Sequence, residues 1–156
     1  MKKTLMTLSI PISEEGKVLL GMKKRGFGEG FWNGFGGKVE KDEKIIESAK
    51  RELQEEAGVQ AEYLFKAGEI VFTHNYDDEV IEMPVFRIEK ILGQPKETEE
   101  MKPQWFLFEE IPYDKMWPDD SYWLPLFLEK KLFKAKFIFN RKNELQSFKV
   151  QEVKTL

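Results

Sequence analysis

Glu52, Glu55 and Glu56 are spaced so that, on a helix, all three carboxylates rise from one face with Cβ atoms about 5–6 Å apart. Like charges held that close destabilise a helix by roughly a few tenths of a kcal/mol per pair, and only Lys50 and Arg51 lie nearby to offset them. A cation completes such a site. Oxygen-only ligation suits a hard ion, and Mg²⁺ binds through a few carboxylates, keeps several waters and takes substrate phosphate oxygens. Mn²⁺ is the expected substitute. Taken alone, the same residues also fit a solvated helix face of ordinary Glu and Lys pairs.

A second constellation lies at Asp119 and Asp120, adjacent acids beside Trp117. Two carboxyl groups crowded into an apolar site tend to hold one proton between them, and such a pair both donates and accepts. The plainer reading is that they begin a helix, as a cap and a favourable first-turn charge. Glu97, Glu99 and Glu100 form a further acidic run, which by itself reads as a solvated loop. His74, the one histidine, reads as a packing or surface residue with no part in a mechanism.

The elements that must position these groups follow from periodicity. Residues 43–57 read as a helix with Ile45, Ile46, Ala49 and Leu53 on the core face and Gly58 as its terminator. Residues 4–12 alternate, residues 13–16 turn and residues 17–22 are again strand-like, which predicts a hairpin. Residues 26–37 are glycine-rich yet carry four aromatics, a composition that lets backbone approach a ligand while large rings stay near it. Strands are expected near 67–74, 80–88 and 105–108, and a second helix between 120 and 132, where Pro125 kinks it or delays its start. A hairpin of 133–139 and 145–153 closes the chain. The sum is a mixed sheet with helices packed on it.

At 156 residues the chain suits one domain, 1–156, with one core, which 41% hydrophobic residues are enough to fill. A formal charge of −3 supplies no global attraction for nucleic acid, and the absence of cysteine excludes disulfides, thiolate metal sites and cysteine nucleophiles. The amino-terminal residues are too interrupted by Thr, Ser and Pro for a secretion signal, and no apolar run approaches the roughly 20 residues needed to cross a bilayer. The expectation is a cytoplasmic protein with neither membrane nor nucleic acid as partner, leaning towards a monomer.

The spacing around the glutamates carries a resemblance. The chain reads Gly37, five residues, Glu43, seven residues, Arg51-Glu52-Leu53, one residue, Glu55-Glu56, one residue, Gly58-Val59, which resembles the Nudix box without a departure. The resemblance implies an α/β class (α+β) Nudix fold, an α/β/α sandwich with a central mixed β-sheet, and hydrolysis of a nucleoside diphosphate linked to another group. It implies that Glu52, Glu55 and Glu56 bind metal, that one of them deprotonates the attacking water, and that Arg51 pairs with a carboxylate holding the loop. The Gly36 carbonyl is the implied further ligand, with Gly36 and Gly37 where loop meets metal.

Residues 18–28, 32–39 and 116–123 also resemble the MutT-like oxidised-purine nucleoside triphosphatases. That similarity implies Glu100 as another metal ligand and Asp119, Asp120 and Asn33 as readers of a purine edge within the Trp117-Pro118-Asp119-Asp120 stretch. Trp117, Phe27 and Phe72 sandwich the ring in this reading, contributing roughly 1–3 kcal/mol, enough to hold a base but not to choose it. Lys23 and the main chain of Phe35, Gly36, Gly37 and Lys38 hold phosphates, and Thr7 reaches base or sugar. The implied reaction converts triphosphates of the 8-oxo-dGTP and 2-hydroxy-dATP type to monophosphate plus diphosphate. Ile81 and His74 depart from the Met and aromatic expected at their positions, which leaves open the pocket width and the range of bases accepted. The rival readings are a Nudix hydrolase of ADP-ribose, a dinucleoside polyphosphate or an RNA cap, and a binding module without catalysis. The presence of Glu52, Glu55, Glu56 and Glu100 together argues against the module.

Overall fold

In the computed structural model, which describes residues 1–156, the expected hairpin at the amino terminus does not form. β1 (Lys3–Pro11) and β2 (Lys17–Lys23) touch only through an Ile12–Val18 bridge and belong to different sheets. The Ser13 turn does reverse the chain, its hydroxyl accepting the Lys17 amide at 3.0 Å. Both strands, however, bury consecutive residues at Ser9–Pro11 and Val18–Gly21, so each needs cover on two faces rather than one. Pro11 also has no amide to give to a ladder at the point where the two strands separate.

β1 enters a six-stranded mixed sheet in the order β4-β1-β6-β5-β8-β9, formed with β4 (Phe35–Lys38), β5 (Gln60–His74), β6 (Val80–Leu92), β8 (Leu132–Phe139) and β9 (Leu145–Val153). The β1–β6 and β5–β8 pairs are parallel and the other neighbours antiparallel. β2 is the centre of a three-stranded antiparallel sheet between β3 (Trp32–Asn33) and β7 (Met101–Leu107). Helix α1 (Ile45–Ala57) covers one core, with Leu53 and Ala57 against Leu19, Phe35, Val59 and Ile88. Helix α2 (Asp120–Leu128) covers the other, with Trp123, Leu124 and Phe127 against Ile10, Val85, Phe133 and Phe137. The two cores lie on opposite faces of the mixed sheet, as β6 shows by sending Val85 to one and Ile88 to the other. The architecture is the α/β/α sandwich. No helix is long and apolar enough to cross a membrane.

Several elements are longer than periodicity predicts, for identifiable reasons. β5 begins at Gln60 but is bulged between Ala61 and Tyr63, Tyr63 and Leu64, and Lys66 and Gly68, which destroys its period of two. β7 begins at Met101 despite Pro103, which an edge strand tolerates. α2 forms over the expected span and continues through Pro125. In α1 the core stripe is Ala49, Leu53 and Ala57, whereas Ile45 and Ile46 are 38% and 42% exposed. β4, on which α1 packs, is only four residues long, so the first turn of the helix has little sheet to cover.

Candidate active site

The turn spacing that buries Ala49, Leu53 and Ala57 sets Ser48, Glu52 and Glu56 on the adjoining stripe of α1 and Arg51 and Glu55 beyond it. Gly58, at φ 70°, ends the helix by donating its amide to the Gln54 carbonyl at 3.0 Å. Arg51 organises the outer stripe. Its Nε and Nη2 donate to the two oxygens of Glu43 at 2.7 and 3.0 Å, while Nη1 reaches Glu52 at 3.0 Å and Glu55 at 3.2 Å. Nη2 also donates to the Lys38 carbonyl at 3.3 Å, which ties the loop before the helix to the helix itself. This fork lowers the Glu43 carboxyl to about 2, with help from the Glu40 amide, and raises the guanidinium.

Two glycines fit the β4 backbone between β1 and this helix. A Cβ on Gly36 would land on the Thr7 carbonyl oxygen, and one on Gly37 would stand 2.6 Å from Oε1 of Glu52. Gly36 donates its amide to Oε1 of Glu56 at 2.8 Å. Even so, burial pushes Glu56 up to about 8, reinforced by the charges of Glu52 and Glu100 against the opposing pull of Lys23. Burial raises Glu52 as well, despite Arg51. Glu100 is different: Nη2 of Arg25 holds it at 2.5 Å and lowers its carboxyl.

Glu56 opens into a cavity of about 320 Å³, within the range of small-molecule sites. Asp119 and Asp120 line the same cavity, both almost fully buried. Asp119 is the residue before α2 but does not cap it. Its Oδ2 instead accepts Nε1–H of Trp123 at 3.0 Å. Burial raises both aspartates, Asp120 the further because the charge of Asp119 adds to the effect. No cation touches either, so one proton shared between them is the low-energy state.

Of the residues singled out in the sequence for substrate binding, Thr7, Lys23, Phe27, Asn33, Gly36, Phe72 and Trp117 line this cavity beside the aspartate pair. The hydroxyl of Thr7 is buried without a partner. Phe27, 69% exposed, stacks on Trp117 at 5.1 Å and Phe31 meets the same indole edge-on, whereas Phe72 stacks on Phe137. Phe35, Gly37, Lys38 and Pro118 lie off the cavity: the Phe35 ring fills the core under α1, Gly37 abuts Glu52 and Lys38 is exposed. Pro118 faces a shallower groove of about 450 Å³ between α2 and β9, with no metal-ligating or paired acidic side chain in its lining. Residues that sequence reading missed are Met83 on β6, Phe139 on β8 and Asn143 in the turn that follows. The alternation of Phe137 and Phe139 was a usable signal for the first wall, but nothing local placed the turn at its rim.

The donor set at α1 fits a divalent cation. It is all oxygen, and Gly37, having no side chain, lets the β4 backbone lie directly against the Glu52 carboxylate. His74, Asp77 and Glu79 form a second group with ligand atoms within 4.8 Å of one another. There each group already has a partner: His74 Nδ1 meets Asp77, Asp77 accepts the Glu79 amide, and Glu79 accepts the Thr4 hydroxyl. That network closes a turn.

Comparison with known proteins follows the same line. The NUDIX domain model matches residues 3–127. The chain is 47% identical over 149 residues to the oxidized purine nucleoside triphosphate hydrolase of Mus musculus, covering 96% of this chain and 95% of that protein. It is 45% identical over 152 residues to the Danio rerio protein of the same name, covering 97% of each. Among solved structures, the mutator MutT protein of Bacillus halodurans superimposes with a TM-score of 0.83 at 25% identity, over 94% of this chain and 97% of that one.

Proposed function

The chain belongs to the NUDIX domain family as a hydrolase, and from that premise we propose that it converts oxidised purine nucleoside triphosphates to the monophosphate and diphosphate. The observation that carries this reading is the buried Asp119 and Asp120 pair in the same cavity as Glu56. A pair sharing one proton offers a donor and an acceptor to a base edge, and Asn33 offers both again through its amide. Trp117 and Phe72 both line the cavity and offer stacking surfaces.

Glu52, Glu55, Glu56, Glu100 and the Gly36 carbonyl would hold the metal, Mg²⁺ in this reading with Mn²⁺ as its substitute. When bound, it neutralises phosphate oxygens and makes a water more acidic. The chain supplies the rest. Lys23 lines the same cavity as Glu56 and the aspartates and attracts the phosphates, while the Gly36 and Gly37 backbone lies against the α1 glutamates. Arg51 holds Glu52 and Glu55 in place from the side away from the cavity. Glu56, buried and fixed by the Gly36 amide, is best placed to take the proton of the attacking water.

The test is diphosphate release from 8-oxo-dGTP and dGTP side by side, with Mg²⁺ and with chelator. Strong preference for the oxidised base, lost in chelator, is expected. Metal-dependent turnover of ADP-ribose or a dinucleoside polyphosphate with no such preference overturns the substrate assignment and leaves the metal chemistry standing.

A further inference from the structure

The wall of the cavity formed by β5 and β6 is apolar at Phe72, Ile81 and Met83, with one exception. His74 lies two residues after Phe72, so both project from the same face of β5, and its imidazole lines the cavity. The ring is held in three ways. Nδ1 lies 3.1 Å from Oδ1 of Asp77, and that oxygen is fixed in turn by the Glu79 amide at 3.1 Å. One ring face stacks on Tyr76 at 4.8 Å, and Tyr76 is itself covered by the Arg141 guanidinium at 4.7 Å. The side chain is 16% exposed. A packing residue needs none of this, and a turn can be closed by Asp77 through the Glu79 amide alone.

A carboxylate beside Nδ1 draws the ring proton to that nitrogen and leaves a lone pair on Nε2. Nε2 makes no hydrogen bond within the chain, whose only bond to this ring is through Nδ1. The cavity therefore contains, besides the mixed donor and acceptor groups of Asn33 and the aspartate pair, one group that only accepts. Oxidation of a purine at C8 converts N7 from a lone-pair acceptor into an N–H donor. Oxidation at C2 leaves N7 an acceptor. An accepting wall thus separates 8-oxopurines from unmodified purines, and does not favour 2-hydroxypurines.

We propose that His74 is a specificity-determining residue that accepts the N7–H of an 8-oxopurine nucleotide, with Asp77 as its positioning residue. The inference rests on the reading that the cavity takes an oxidised purine. The experiment compares wild type with His74→Phe, which keeps the ring stack on Tyr76, and Asp77→Asn, which keeps the imidazole but weakens its orientation. For each, kcat/KM is measured on 8-oxo-dGTP, 2-hydroxy-dATP and dGTP, together with the affinity for 8-oxo-dGMP and dGMP by tryptophan fluorescence in chelator, and a thermal melt. The loss of one neutral hydrogen bond lowers 8-oxo-dGTP turnover and 8-oxo-dGMP affinity by about ten-fold in His74→Phe. The 2-hydroxy-dATP and dGTP values stay within about two-fold, and Asp77→Asn shifts the ratio in the same direction. If His74→Phe does not fold, His74→Gln repeats the comparison. An unchanged ratio of 8-oxo-dGTP to dGTP, or an equal fall on all three substrates, overturns the proposal while wild type's own preference leaves the proposed function intact. A wild type without preference for oxidised purines overturns both.

Discussion

Replacing Glu56 by Gln tests whether this carboxyl is buried as the structure has it. Its folded value of about 8 stands above the usual 4.5 because burial penalises the charge. Below pH 4.5 both folded and unfolded chains are protonated and nothing is lost. As pH rises from 4.5 the unfolded chain ionises first, so stability falls until the folded group ionises too, near pH 8, and is level thereafter. At about 1.4 kcal/mol per pH unit, the cost of keeping Glu56 is about 1 kcal/mol at pH 5, about 3 at pH 7 and approaches about 5 above pH 8. Gln carries no charge and still offers an oxygen to the Gly36 amide, so the variant escapes this cost. It also lightens the load on Glu52, whose charge is coupled to that of Glu56, and this acts with the same sign. Asp119 and Asp120 are raised in both proteins and cancel in the difference.

The assay is a thermal melt of both proteins in chelator across pH 5 to 9. The variant should gain on wild type steadily, by about 4 kcal/mol over that range, or roughly 10 °C for a chain of this size. Adding Mg²⁺ at alkaline pH should stabilise wild type by binding the folded state, and stabilise the variant much less. Diphosphate release by the variant should vanish while its fold persists. Melting curves that stay parallel from pH 5 to pH 9 would refute the burial of Glu56 and with it this account of the site.

Gly37→Ala sets a methyl 2.6 Å from the Glu52 carboxylate, a movable group, so turnover should fall by about 10- to 100-fold with little change in melting. Gly36→Ala meets the Thr7 backbone, which cannot move aside, and should lower the melting temperature sharply or prevent folding. Asp120→Asn removes the need to share a proton, so kcat/KM for 8-oxo-dGTP relative to dGTP should drop by about ten-fold or more. The same change should raise melting at alkaline pH, because a group raised by burial loses stability as pH rises. Arg51→Lys replaces a fork contacting Glu43, Glu52 and Glu55 with a point charge and should cost about 1–3 kcal/mol of stability along with most of the turnover.

What could be read from the sequence was what depends on local spacing. The glutamate stripe, Gly58 as terminator, the α2 span and the last hairpin all follow from residues within a turn or two of one another, and all appear in the structure. Pairing between distant strands is not written locally, and the β1–β2 hairpin failed for that reason: a turn signal specifies reversal but not partnership. The bulges of β5 and the proline in β7 hid real strands behind broken periods. Ile45 and Ile46 lie exposed because helix periodicity cannot say how far the sheet beneath extends. The cavity was legible where its residues belong to a patterned stretch, as at Trp117 and Asp119, and illegible at Asn143 and Met83, which only the tertiary fold brings to it.

The two acidic ends of the cavity are raised by the same burial but must be neutralised differently, and the surroundings decide how. Around Glu52 and Glu56 stand Arg51, Lys23 and the β4 backbone at Gly36 and Gly37. Asp119 and Asp120 form no ion pair, and the side-chain hydrogen bond made to them is that of the Trp123 indole N–H to Asp119. The nearest buried cation on that side of the sheet, Arg87, gives its Nη2 to the Phe127 carbonyl at the far end of α2 and lies 4.6 Å above the Phe127 ring. In the proposed reading a divalent ion is therefore favoured at the glutamates and a proton at the aspartates. A nucleotide lying between them meets phosphate chemistry at one end and a hydrogen-bonding code at the other, which is why removing metal should abolish hydrolysis without abolishing recognition of the base. Chelator-treated protein should still bind 8-oxo-dGMP in preference to dGMP, and equal affinity for the two would show that the base-binding groups do not select the oxidised purine in the absence of metal.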